Sequence, residues 1–103
     1  MVQNTNLKDE ILFSHLMLDL ETMGTKSNSA IISIGAVEFD ILTGKTGKEF
    51  YRNVSLQSCI SLGLVVDADT IMWWMEQSQD ARKSLTEGKV ISIHQALIDF
   101  REF

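Results

Sequence analysis

No proline occurs in this chain, so glycines and helix-capping residues must mark the boundaries between its elements. The single cysteine, Cys59, excludes an internal disulfide and a cysteine-based metal cluster. Its expected role is that of a small buried filler. Basic charge is scarce: Lys and Arg number 9 against 14 Asp and Glu, a net charge of −5. The long-range field therefore does not attract polyanions, and any contact with nucleic acid has to come from a local patch or from bound cations. Long apolar runs are missing too. The stretch from Ile11 to Leu20 is broken by Ser14, His15 and Asp19 and falls well short of the roughly 20 residues that span a bilayer. The polar start MVQNTNLKDE lacks the layout of a secretory signal. These absences predict a soluble, intracellular protein with no membrane partner.

What is present suits one small globular domain: 103 residues, 45% of them hydrophobic and 22% charged. Residues 1–14 read as a polar lead and the start of a first strand, whose best-defined part is His15 to Leu20; residues 15–103 read as the domain itself. The stretch ETMGTKSNS has the composition of an irregular connection, and AIISIGAVEFD, rich in isoleucine and valine, that of a second strand. Two glycines in ILTGKTGKEF and the alternation in KEFYRNV predict a hairpin pairing residues near 30–39 with those near 48–54. The period then becomes helical. Asp69 or Thr70 is the expected N-cap before IMWWMEQS, and SQDARKSL can add a further turn or two. In SIHQALIDFREF, Ser92 with Gln95 three residues on is a capping-box pattern, and Ile93, Ala96, Leu97 and Phe100 form an apolar stripe. With no glycine or polar tail to close it, this last helix reads as cut, and the chain as the first half of an α/β domain.

The chemistry centres on LMLDLETMG. Strands buried on both faces read as continuous apolar runs, so Asp19 within one needs compensation. Residues two apart share a strand face, which sets Asp19 and Glu21 side by side at roughly 7 Å between Cα atoms. Two close carboxylates repel and raise each other's pKa unless a hard cation such as Mg²⁺ or Mn²⁺ takes oxygens from both. The bland alternative is a frayed, hydrated strand end, or an Asp19–Lys26 ion pair.

The stretch HLMLDLETMGTKSNSAIISIGAVEFD resembles the first motif of the DEDD family of 3′–5′ exonucleases, a ribonuclease H-like group. The likeness rests on D-x-E-T at Asp19, Glu21 and Thr22, on Gly24, and on the strand IISIGAVEFD, and it is nearest to the phage and prophage branch, where a helix like WWMEQS follows. It implies the N-terminal part of a ribonuclease H-like fold: a three-stranded antiparallel sheet followed by helices. It also implies two divalent ions, Mg²⁺ or Mn²⁺, with Asp19 bridging them and Glu21 holding one, and removal of nucleotides from the 3′ end of DNA or RNA. Thr22, Met23, Gly24 and Trp74 become candidate substrate contacts. A bacterial or phage-infected cytoplasm is the setting this resemblance implies.

The family's remaining two carboxylates have no clear match. His94 and Asp99 in HQALIDF have the outward form of the third motif, His-x-x-x-x-Asp, yet too little chain precedes them for the intervening strands, and an ordinary helix explains them better. His15, on the Asp19 face, lies too far back to ligate directly. Trp73 and Trp74 could stack on bases, but adjacent helical residues point about 100° apart, so packing on the sheet is expected. Catalytic incompleteness is therefore expected. The alternatives are a non-catalytic, truncated phage-derived interaction module that self-associates through a sheet edge or apolar face, and, less well supported, a phosphotransferase with its glycine displaced from the acid.

Overall fold

The computed structural model describes residues 13–103. Four strands, β1 (His15–Thr22), β2 (Ile31–Phe39), β3 (Thr46–Val54) and β4 (Val90–Ile91), form one sheet in the order β1-β2-β3-β4. Helices α1 (Leu56–Ser61), α2 (Ala68–Met75) and α3 (Gln79–Ser84) lie between β3 and β4, and α4 (Ile93–Glu102) follows. The polar lead predicted for residues 1–14 lies almost wholly outside the described residues, and the strand begins at His15.

The β2–β3 hairpin forms where the sequence predicts it, from Ser33 opposite Asn53 to Phe39 opposite Thr46. Its turn closes through Asp40 N–H to Lys45 O at 2.8 Å and Gly44 N–H to Asp40 O at 2.8 Å, with Thr43 Oγ1 donating to Asp40 Oδ2 at 2.6 Å. Gly44 takes φ of 75°, a value a side chain would strain.

The sheet differs from the expected three antiparallel strands. β1, β2 and β3 are antiparallel, but Val90 and Ile91 add a fourth strand, parallel to β3 opposite Asn53 and Val54. Two residues carry no readable periodicity, and it is the return of the chain beside β3 that makes them a strand.

Alternation sorts the faces. Ile34, Ala36, Phe50 and Val54 point to one side and meet Cys59 of α1 and Ile93 and Ala96 of α4 in the buried cluster. Phe50 sits 5.4 Å from the Phe100 ring and 5.3 Å from Phe103, which seats α4 on β3. Ser92 caps α4 by accepting from Gln95 N–H at 3.1 Å, but the Gln95 side chain donates to Asp99 at 2.8 Å, so only half of the predicted capping box forms. Leu97, expected in the apolar stripe, is exposed.

Candidate active site

Across the other face of the sheet run two rows set by register. Asp19 is opposite Gly35, which is opposite Tyr51; Glu21 is opposite Ser33, which is opposite Asn53. Gly35 places no side chain between Asp19 and Tyr51, so the floor beside the carboxylate stays open. A register shift between Glu21 and Thr22 bends β1 at the end of the acidic pair.

Two clefts meet at Glu21 and Trp74. One, of about 510 Å³, is lined by Leu20, Glu21, Thr22, Gly24, Thr25, Asp67, Asp69, Thr70, Trp73 and Trp74. The other, of about 340 Å³, runs over Asp19, Glu21, Ser33, Gly35 and Tyr51 beneath Ala81 and Ser84 of α3 and its C-cap Leu85. Together they give a continuous acidic and aromatic surface.

The connection after β1 is tied down rather than loose. Met23 N–H donates to Ala30 O at 2.8 Å, Asp67 N–H to Met23 O at 2.8 Å, and Ala30 N–H to Val65 O at 2.8 Å. Thr22 Oγ1 donates to Gly24 O at 2.6 Å. Gly24 packs so closely on Ser29 that a Cβ there would collide with the Ser29 hydroxyl. These bonds bring α2 beside the end of β1, where Trp74 Nε1 donates to Thr22 O at 3.2 Å.

Neither tryptophan enters the core as predicted. Trp73 is exposed and Trp74 half-buried, their rings 5.0 Å apart and edge to face. Pairing between the two, and the Trp74 bond to β1, hold both rings on the rim of the larger cleft. Of the four predicted substrate contacts, Thr22, Gly24 and Trp74 line that cleft, while Met23 packs against the core.

Burial, then the neighbouring charge of Asp19, pushes the Glu21 carboxyl above the usual carboxylate range. No ion pair joins Asp19 to Lys26 among the described residues. Asp19 and Glu21 offer only hard oxygens, a donor set that fits part of the shell of one Mg²⁺ or Mn²⁺. Among the described residues no third His, Cys, Asp or Glu joins them, so the pair alone does not make a complete two-ion cage.

His94 and Asp99 are not brought to this site. Both lie on α4, which packs on the Phe50 face. Asp99 instead pairs with Arg52 Nε at 3.0 Å, and hydrogen bonds from Gln95 and Arg52 hold its carboxyl below the usual range. Arg52 also stacks over Phe50 at 4.5 Å and donates to Tyr51 O, so this cation is committed to the fold.

The sequence reading missed Asp67, Ser33, Gly35, Tyr51 and Asn53. α2 begins one residue after Asp67, its N-cap, and not at Asp69 or Thr70; Thr70 Oγ1 instead donates to Asp67 Oδ2 at 3.2 Å. Ser33 and Gly35, alternating with Ile32, Ile34 and Ala36 in β2, were the available signal.

An acidic pair on the first strand of an α/β domain, beside a cleft edged by tryptophans, is compatible with a nuclease-type domain. A family model for the 3′–5′ exoribonuclease Rv2179c-like domain matches residues 14–103, and the chain belongs to that family. Searches of curated proteins and of solved structures return no match.

Proposed function

We propose that this chain carries the first metal-binding half of a DEDD-type, two-metal 3′–5′ exonuclease site on a ribonuclease H-like fold, with RNA 3′ ends as substrate. The observation that carries the reading is the placement of Asp19 and Glu21 on one face of β1, at the junction of the two clefts, in a chain of an exoribonuclease-like family. An antiparallel meander with acids on the first strand and helices α1 and α4 packed on the opposite face supports the fold assignment.

Asp19 and Glu21 would hold the cation. When bound, it lowers the pKa of an attacking water and stabilises charge on the scissile phosphate. The protein's own part is to hold both acids on a rigid strand and to offer the terminal nucleotide the rim of Trp73 and Trp74, where base stacking contributes about 1–3 kcal/mol per base. Thr22 and Gly24 shape the wall beside Glu21. With two carboxylates at the site, hydrolysis by this chain alone is slow or absent. The setting is a bacterial cytoplasm, and the WWMEQS helix supports the phage-type branch.

Mn²⁺-dependent hydrolysis of a 3′-labelled single-stranded RNA, measured beside Mn²⁺ binding by calorimetry, tests this. Expected are Mn²⁺ binding that Asp19→Ala abolishes and, at most, slow shortening that the same substitution removes. Efficient hydrolysis indifferent to Asp19→Ala, or Mn²⁺ binding indifferent to it, overturns the reading.

A second reading, a non-catalytic module that associates with another copy, is favoured by one feature: β1 is exposed on both faces from His15 to Leu20.

A further inference from the structure

Breaking a phosphodiester bond requires a nucleotide on each side of it, and two clefts meet at Glu21. The larger, with its tryptophan rim, takes the terminal nucleotide. We propose that Tyr51 is the platform on which the base upstream of the scissile bond stacks, so that the smaller cleft holds the penultimate nucleotide of an RNA end. The inference rests on the nuclease reading and adds to it the residue that holds the second nucleotide.

The smaller cleft has the shape this needs. Its floor is open at Gly35, the side chains of α3 above it, Ala81 and Ser84, are short, and its volume of about 340 Å³ falls within the roughly 300–1,000 Å³ of small-molecule sites. Register sets Tyr51 two strands away from Asp19, at roughly 9–10 Å between Cα atoms. A base joined through its ribose to a phosphate at Asp19 therefore reaches the ring. Of the residues lining this cleft, Tyr51 is the aromatic one that the larger cleft does not share.

The ring is set for a ligand and not for the core. Tyr51 is 54% exposed, whereas its neighbour Phe50 is buried on the opposite face. A Cβ on Gly35 would sit 3.7 Å from Tyr51 Cδ1, so the ring lies beside the open floor. Its hydroxyl donates to Oδ1 of the buried Asn53 at 2.9 Å, and Asn53 is in turn held by Ser84 O and Glu87 O. A ring oriented in this way has little freedom left to lose when a base stacks on it. Beyond it a third cleft of about 520 Å³ begins, with Tyr51 in its wall, so a longer strand can continue past the platform. Stacking suits an enzyme that shortens a strand stepwise, because every base offers a π-face.

Calorimetric titration of the full chain at saturating Mg²⁺ compares two RNA dinucleotides: one with two adenines, and one whose upstream ribose carries hydrogen in place of its base. Loss of the upstream base is expected to weaken wild-type binding by roughly 5- to 150-fold. That difference should remain in Tyr51→Phe, which keeps the ring, and vanish in Tyr51→Leu. Should Tyr51→Leu fail to fold, Gly35→Val serves instead: its Cβ meets only ordinary contacts, its methyls fill the floor, and the difference should again vanish. A purely structural role for Tyr51, bracing Gly35 and Asn53, would lower the stability of Tyr51→Leu and leave the difference between the dinucleotides untouched. That outcome overturns the proposal, as does a wild type that binds both dinucleotides alike. If Mn²⁺ still binds through Asp19 in either case, the nuclease reading stands and only the platform falls. A chain that binds neither dinucleotide takes the RNA reading down with the proposal.

Discussion

Glu21 stands where β1 bends, between a cleft walled by tryptophans and a second cleft floored by glycine, and its carboxyl is held above the ordinary range chiefly by burial. A raised folded-state pKa means that the ionised group costs stability above that pKa, and the cost is relieved as pH falls through it toward the unfolded value. In an NMR titration Glu21 is therefore expected to protonate at higher pH than an exposed glutamate. Asp19→Asn should lower its pKa only part of the way, because the neighbouring charge is the smaller cause. A return to the ordinary value in Asp19→Asn would give the charge, not burial, the leading role. The acidic pair was legible from strand alternation alone. Tyr51 and Asn53 were not, because their place in the site depends on the β1–β2–β3 register, which joins positions far apart in sequence.

Among the elements, α3 owes its position over the acidic face to one side chain. Asn53 is buried; its Nδ2 donates to Ser84 O at 3.0 Å and to Glu87 O at 2.9 Å, while its Oδ1 accepts from Tyr51 Oη at 2.9 Å. Every polar atom of the amide is used, and two of its bonds span the gap from β3 to the end of α3. Asn53→Ala removes the donor to both part-buried carbonyls and is expected to lower stability by about 1–3 kcal/mol in urea denaturation. It should also raise hydrogen exchange in α3 before it does so in β2. Uniform loss of protection would show that α3 is held by other contacts. Helices α2 to α4 and the β2–β3 hairpin were readable because caps, glycines and periodicity are local, whereas the six-residue α1 was not foreseen. β4 was not, since a two-residue strand exists only through its neighbour. The tryptophans were misplaced because a hydrophobic stripe does not reveal whether the sheet reaches far enough to cover it.

The whole molecule has a one-sided core. Helices α1 and α4 cover the central strands, whereas the leucines of β1 on that same face stay open. Stability at roughly 0.05–0.15 kcal/mol per residue leaves about 5–15 kcal/mol for a chain of this length. Phe50, which joins β3 to Phe100 and Phe103, carries a large share of it. Phe50→Ala is expected to cost about 3–5 kcal/mol and to lower the thermal midpoint sharply, checked by circular dichroism. A small shift would mean that α4 can re-seat without it. No described helix is long and apolar enough to cross a membrane. Cys59, fully buried between α1 and the sheet with its thiol donating to Ile31 O at 3.4 Å, gives this assembly a built-in clock. An alkylating reagent reaches that lone sulfur only when α1 lifts from the strands, so the labelling rate reads out how often the domain opens, with no introduced probe.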